Sequence, residues 1–239
     1  MADVMVEVDG SRIWSTSEGS GTPVVLCNGG PGCSDYLAPI SAMLSSSCRA
    51  IRFENRGCGK SDPAAQYSIE TCLADLEAIR KHYQLDRWIV GGHSFGADLA
   101  LFYALRYPQH TLGFICIAGG RIHNDREWHR VYREKRDQGL EPLIPEASPV
   151  NMDVNKQVNQ SWKEYVQRPT LLLELSKLEI PGLFVYGTED IRPGWPIAQV
   201  ANLIPNARLR WVKGADHYIW LTHARELREC LFDFVKELA

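Results

Sequence analysis

The sequence predicts an α/β architecture: a mainly parallel eight-stranded sheet, helices on both faces, and a small helical cap insertion. Three observations predict it. Short apolar runs alternate with stretches of helical spacing along most of the chain, the rhythm of a largely parallel sheet. Runs such as Pro23-Val24-Val25-Leu26-Cys27 are almost continuously apolar, as strands covered on both faces must be. The rhythm breaks from about Gly120 to Leu178 and then resumes, so the core is read over 1–119 and 179–239 and the insertion over 120–178. The length of 239 residues suits one such domain.

The elements follow in order. Val4 to Val8 alternates, Asp9-Gly10 is a turn signal and Arg12 to Thr16 returns, which predicts a hairpin. Pro23 to Cys27 is a strand ending in Asn28-Gly29-Gly30-Pro31-Gly32; Arg49 to Glu54 is another, ending in Asn55-Arg56-Gly57-Cys58-Gly59. Ser68 opens a helix with Ile69, Leu73, Leu76, Ile79 and Tyr83 at helical spacing. A strand over 87–91, a helix from Ser94 towards Tyr107 and a strand over Leu112 to Ile117 come next. The insertion is rich in charge and carries Trp128, Trp162, Pro142, Pro145, Pro149 and Pro169. After it come a strand over Gly182 to Tyr186, a helix over Ile197 to Leu203 and a strand over Arg208 to Val212. A last helix shows Leu227, Leu231, Phe234, Val235 and Leu238 on one face.

Composition narrows the function. A hydrophobic fraction of 45%, a charged fraction of 23% and a net charge of -3 describe an ordinary globule and argue against a nucleic-acid partner. No run approaches the length of a membrane span, and the N-terminus lacks a basic and apolar leader, so a cytoplasmic protein without a membrane partner is expected. The seven cysteines, Cys27, Cys33, Cys48, Cys58, Cys72, Cys116 and Cys230, are odd in number without a C-x-x-C pair, which predicts reduced thiols. Cys33 and Cys58 stand in glycine-rich loops and are candidates to flank a pocket. Nothing in the sequence speaks to an oligomeric state.

The chemistry gathers around Gly92-His93-Ser94-Phe95-Gly96. G-x-S-x-G between a strand and a helix holds a serine on a strained turn with its hydroxyl exposed. That hydroxyl needs a base, normally a histidine oriented by a carboxylate. In such folds the acid and histidine follow late strands in that order. Gly187-Thr188-Glu189-Asp190 and Lys213-Gly214-Ala215-Asp216-His217 end the two late strands, so Asp190 and His217 are the expected acid and base. Glu189 and Asp216 are the rival acids. His93 should face away from the serine, His223 is read within the last helix, and His123 and His129 are read on a solvated face of the insertion, with the lining of the pocket as the alternative. The expected oxyanion donors are the N–H groups of Phe95 and of Gly30, since Pro31 has none to give. Asp98, in the first turn of its helix, is read as a charge–dipole placement.

Other motifs are incomplete. Gly57-Cys58-Gly59-Lys60-Ser61 ends like a phosphate loop, but Glu54 stands where glycine is needed and Asp62-Pro63 follows. No G-x-G-x-x-G and no pair of histidines at ligand spacing occurs, so no cofactor and no metal are predicted.

The chain resembles the α/β-hydrolase superfamily, and within it the proline iminopeptidase branch. Asn28 to Gly32 is similar to H-G-G-P-G, Glu54 to Ser61 to D-Q-R-G-C-G-x-S, and Gly187 to Pro193 to G-x-x-D-x-x-P. The resemblance implies a triad of Ser94, Asp190 and His217, oxyanion donors at Gly30 and Phe95, and an acyl-enzyme. Asn28, Glu54 and Asn55 depart from the branch pattern, and the insertion is short. In that branch a larger cap supplies carboxylates for the substrate's free amino group; here Glu141, Glu146, Asp153, Glu164 and Glu174 are available. The expectation is a serine hydrolase acting on a small ester, amide or N-terminal aminoacyl bond of a small-molecule or short-peptide substrate. The alternative is a small-molecule receptor that keeps the triad without turnover. A dehalogenase would want an aspartate at Ser94.

Overall fold

The computed structural model describes residues 3–142 and 149–238; Pro145 and Glu146 lie outside the described residues. Eight strands, β1 (Asp3–Val8), β2 (Ser11–Glu18), β3 (Thr22–Cys27), β4 (Cys48–Phe53), β5 (Trp88–His93), β6 (Thr111–Ile117), β7 (Gly182–Gly187) and β8 (Ala207–Val212), form one sheet. Their order is β1-β2-β4-β3-β5-β6-β7-β8. The β1–β2 hairpin and the β2–β4 pair are antiparallel, and every pair from β4 to β8 is parallel. The sheet is therefore the mainly parallel one expected. β3 and β5 lie side by side at its centre, so the loops after them share one end of the sheet.

Alternate side chains of the parallel strands feed two cores. Val25, Cys27, Val90, Cys116 and Phe184 face one side, under α2 (Ile69–His82), α3 (Phe95–Arg106) and α7 (Trp195–Leu203). Val24, Leu26, Ile89, Ile115 and Val185 face the other, under α1 (Ala38–Leu44), α8 (Ile219–Thr222) and α9 (Ala224–Leu238). Leu227, Leu231, Phe234 and Val235 of α9 are buried, each stabilising by about 1.5–3 kcal/mol relative to an exposed side chain. Helix α1 was not read from the sequence, while α2 starts at Ser68 as expected. The Ser68 hydroxyl accepts the Thr71 N–H and the Thr71 hydroxyl accepts the Ser68 N–H, a reciprocal cap.

Between β6 and β7 lie α4 (Arg126–Asp137), α5 (Met152–Val166) and α6 (Leu171–Ser176). Helix α5 is fastened to the two glycine-rich loops. The Asn151 N–H donates to Gly32 O at 2.9 Å, and the Asn151 and Asn155 amides donate to Gly57 O and Pro31 O, each at 2.8 Å. The Gly57–Ser61 segment is a structural corner. The Ser61 hydroxyl donates to Glu54 O and accepts the Trp14 N–H, while the Glu54 carboxylate accepts the N–H groups of Asp35 and Lys60. Arg56 meets the buried Asp75 of α2 through a two-pronged ion pair. Among the described residues, no helix is long and apolar enough to cross a membrane.

Candidate active site

Ser94 sits between the last residue of β5 and the first of α3, at φ 56° and ψ -120°. This is left-handed territory for a residue with a Cβ and costs about 1–3 kcal/mol. The Ser94 N–H donates to Ile117 O at 2.8 Å and its carbonyl accepts the Ala97 N–H at 3.0 Å. Both backbone groups are thereby tied while the half-buried side chain stays clear.

His217 and Asp190 meet as the sequence suggests. His217 Nδ1–H donates to Asp190 Oδ2 at 2.6 Å, with both side chains buried. A carboxylate can only accept, so Nδ1 carries the proton and Nε2 keeps its lone pair. Burial holds His217 below the usual histidine range, against the opposing pull of Asp190. Burial alone would raise Asp190, but His217 and Arg192 outweigh it and keep the carboxylate below its ordinary value. Glu189 is exposed, and Asp216 accepts its own neighbour's Tyr218 N–H at 2.9 Å, so neither rival acid meets His217. His223 lies between α8 and α9, one residue before the last helix and not within it.

His93 does face away from Ser94, and it has work there. The Gly29 N–H donates to Tyr36 Oη at 2.8 Å, Tyr36 Oη lies 2.7 Å from His93 Nδ1, and His93 Nε2 lies 3.0 Å from the His217 carbonyl. The carbonyl can only accept, so Nε2 donates and Nδ1 accepts the Tyr36 hydroxyl proton. Burial holds His93 well below the usual range, which keeps this neutral tautomer. One chain of hydrogen bonds thus joins the Gly29 loop, the serine turn and the His217 loop. The His93 and His217 rings are 4.6 Å apart between centroids. The Ser94 hydroxyl itself makes no hydrogen bond among the described residues.

The two residues expected to supply the oxyanion donors line one cavity. Gly30, Phe95 and Ser94 line a cavity of about 460 Å³. Neither the Gly30 N–H nor the Phe95 N–H has an acceptor among the described residues. The loop that carries Gly30 is pressed hard against the serine turn, since a Cβ on Gly29 would come 2.9 Å from Ser94 Cβ and 2.1 Å from Tyr36 Oη. Asn28, where the resembling branch has histidine, ties this loop down: its amide donates to Phe53 O at 2.8 Å and its Oδ1 accepts the Tyr36 N–H at 3.2 Å.

The rest of the cavity differs from the sequence reading. His129, half-buried, is one of the lining residues. Asp98 also lines it, and its Oδ1 accepts the N–H groups of Gly120 and Arg121 at 2.8 and 3.0 Å. It is therefore a clamp between α3 and the chain leaving β6, beyond any helix-dipole effect. Burial pushes its pKa up to about 6. Arg192, unread in the sequence, donates its backbone N–H to Asp190 Oδ1 at 2.9 Å, lies over the Tyr132 ring of α4 at 4.5 Å, and pairs with Glu141.

The offered amine-binding carboxylates are occupied elsewhere. Glu141 holds Arg192 and Tyr132, Glu174 holds Arg168, Glu164 holds Gln160, and Asp153 is exposed; Glu146 lies outside the described residues. All seven cysteines are free. Burial raises the Cys33 and Cys58 thiols, Cys58 to about 12, and neither lines this cavity. Among the described residues no group of three or more His, Cys, Asp or Glu side chains is arranged to hold a metal ion.

Comparison with known proteins agrees with this fold. A family model described as alpha/beta hydrolase fold matches residues 22–141, half of the chain. A probable proline iminopeptidase of Leptolyngbya boryana is 38% identical over 99 residues, which are 40% of this chain and 31% of that protein. The matched stretch spans about a third of the length of such curated relatives. Among solved structures, E-2-(acetamidomethylene)succinate hydrolase superposes with a TM-score of 0.80 at 19% identity, over 98% of this chain and 99% of the other. The carboxylesterase CesB of Bacillus subtilis does so with 0.74 at 16%, over 98% and 91%. At these identities the structural likeness concerns the fold.

Proposed function

This chain belongs to the alpha/beta hydrolase fold family, and on that premise we propose that it is a serine hydrolase cleaving a small ester or amide through Ser94, His217 and Asp190. The observation that carries the reading is the buried 2.6 Å His217–Asp190 pair, which leaves His217 Nε2 unprotonated, together with a serine held on a strained turn. Ser94 Oγ attacks the carbonyl carbon while His217 Nε2 takes its proton. The N–H groups of Gly30 and Phe95 receive the charge that develops on the carbonyl oxygen. His217 then gives its proton to the leaving alcohol or amine, and an acyl-enzyme remains. Water attacks that acyl group, again losing a proton to His217, and Ser94 is released. Asp190 fixes the tautomer and stabilises the imidazolium without taking a proton. The contact between Ser94 and His217 is completed with substrate bound, as such hydrogen bonds often are.

Residues 120–178 serve in this reading as a small cap over Ser94, contributing Trp128, Tyr132 and Trp162 to the cavity wall. The curated relatives are proline iminopeptidases, but no acidic side chain of this cap is open to the cavity among the described residues. The reading is therefore an esterase or simple amidase rather than an aminopeptidase. The test sets 4-nitrophenyl acyl esters beside proline and alanine 4-nitroanilides, with Ser94→Ala as the control. Ser94-dependent ester cleavage is expected. Preferential anilide cleavage would reinstate the aminopeptidase, and no Ser94-dependent turnover of either would favour the receptor.

The pH dependence follows from His217. Only neutral His217 accepts the serine proton, and burial holds its pKa below the usual value of about 6.5. Activity is therefore lost as pH falls through that lowered pKa and is level from neutrality upwards. A kcat/KM profile for a neutral ester checks this, and an inflection above 7 would contradict it.

A further inference from the structure

Arg121 lines the same cavity as Ser94, and its setting is that of a ligand-binding guanidinium. It is gripped by two indoles, with its Cζ 4.4 Å from the centroid of Trp128 of α4 and 4.3 Å from that of Trp162 of α5. Stacking orients a planar guanidinium through its faces and leaves the N–H edge available. Of five side-chain N–H donors, one is used, with Nη1 donating to His123 O at 3.0 Å. Arg121 makes no ion pair among the described residues. The other cavity arginines differ: Arg192 is engaged by Asp190 and Glu141, and Arg136 by Asp137. Asp98 of α3 is the acid whose charge acts most strongly on Arg121, but its Oδ1 already accepts two backbone N–H groups, one of them that of Arg121 itself. It moderates the positive field without meeting the guanidinium edge.

Arg121 is partly buried, and a guanidinium edge withdrawn from water without a carboxylate partner favours a ligand that supplies one. We propose that Arg121 is the docking group for a carboxylate on the substrate, so that the ester or amide cleaved at Ser94 carries a second, anionic end. The inference rests on the serine hydrolase reading for the reaction, but the carboxylate site itself does not depend on turnover. A guanidinium edge fits a carboxylate with two parallel hydrogen bonds. Bound there, the anion fixes which carbonyl is presented to Ser94, and a substrate with a free ammonium group at that end is repelled. Trp128 and Trp162 act as positioning residues, holding Arg121 in plane.

The experiment uses matched pairs: monoethyl succinate, glutarate and adipate against ethyl butanoate, pentanoate and hexanoate. For each enzyme the reading is the ratio of kcat/KM for half-ester to neutral ester, which cancels partial loss of folded protein. At least one half-ester is expected to be preferred about 10- to 100-fold, with the ratio falling towards one in Arg121→Gln. In Arg121→Lys, which keeps the charge and loses the fork, the ratio should fall part of the way. Binding is measured separately, as the calorimetric titration of glutarate, and of neutral glutaramide, into Ser94→Ala and into Ser94→Ala/Arg121→Gln. Glutarate should bind the first and not the second, and glutaramide neither. If glutarate binding depends on Arg121 while no ester is turned over, the carboxylate site stands and the hydrolase reading falls. If Ser94-dependent ester cleavage shows no half-ester preference, or one that survives in both Arg121 variants, the carboxylate site is wrong and the hydrolase reading stands. Should Arg121→Gln fail to fold, the same decision rests on Arg121→Lys and on competition in the wild-type enzyme, where glutarate must inhibit neutral-ester cleavage and glutaramide must not.

Discussion

Ser94→Ala is expected to lower kcat for ester hydrolysis by about 10⁴-fold or more while the protein stays folded. The hydroxyl makes no hydrogen bond among the described residues, so its removal orphans no buried group. The turn also keeps its shape, because the Ser94 N–H and carbonyl are tied to Ile117 and Ala97. His217→Ala should cost about as much, and the double variant little more, because nucleophile and base act as one unit. Asp190→Asn should lose about 10⁴-fold through the wrong histidine tautomer. It has a second consequence, since Asp190 Oδ1 also meets Arg192. Ser94→Gly separates chemistry from strain. At φ 56° glycine has no Cβ penalty, so this variant should be as inactive as Ser94→Ala and more stable by about 1 kcal/mol. Single-turnover kinetics with thermal melts of each variant checks both halves. Activity within tenfold of wild type in Ser94→Ala would remove the serine from the reaction.

What the sequence disclosed follows physical range. The strands were legible because burial on both faces leaves an uninterrupted apolar signal, and α2 and α9 because several turns repeat one stripe. Helix α1 escaped although Leu37, Ile40 and Leu44 are all buried. It has seven residues, too few turns to establish a period, and it lies among serines. The serine turn and the Asp190–His217 pair could be read because each ends a strand whose position was already known. Tyr36, Arg192 and Arg121 could not. Each acts through a partner far away in sequence: Tyr36 through His93, Arg192 through Tyr132 and Glu141, Arg121 through Trp162 as well as the nearer Trp128. Nothing local distinguishes such an arginine from one on a solvated helix. The choice for His129 between a solvated face and the pocket was open for the same reason, since its face of α4 is defined only by what lies beneath that helix.

Gly96→Ala is expected to cost about 4 kcal/mol or more and to lower the melting temperature by roughly 8–16 °C for a chain of this size. A Cβ there would stand 2.0 Å from the Cys27 carbonyl oxygen and 2.7 Å from that of Asn28. Those atoms are backbone at the end of β3, the central strand that pairs with both β4 and β5, so they cannot swing aside as a flexible side chain would. Relief requires α3 to lift from the sheet, which also moves the Phe95 N–H away from the Gly30 loop. Gly92→Ala meets the same obstacle from the other side, since its Cβ would lie 2.2 Å from Gly96 C. Gly91→Ala is the decisive contrast. It is one residue earlier on the same strand, and its Cβ would meet Leu26 Cδ2 at 3.4 Å and Ile115 Cβ at 3.5 Å, which are ordinary contacts. That variant should stay within about 1 kcal/mol of wild type and keep its ester hydrolysis. The two glycines of G-x-S-x-G are thus fixed by the close approach of helix and strand that exposes Ser94, and an adjacent glycine on the same strand is not. Thermal melts of the three variants should rank Gly91→Ala far above the other two. Equal melting temperatures would mean that the turn relaxes more easily than its packing implies.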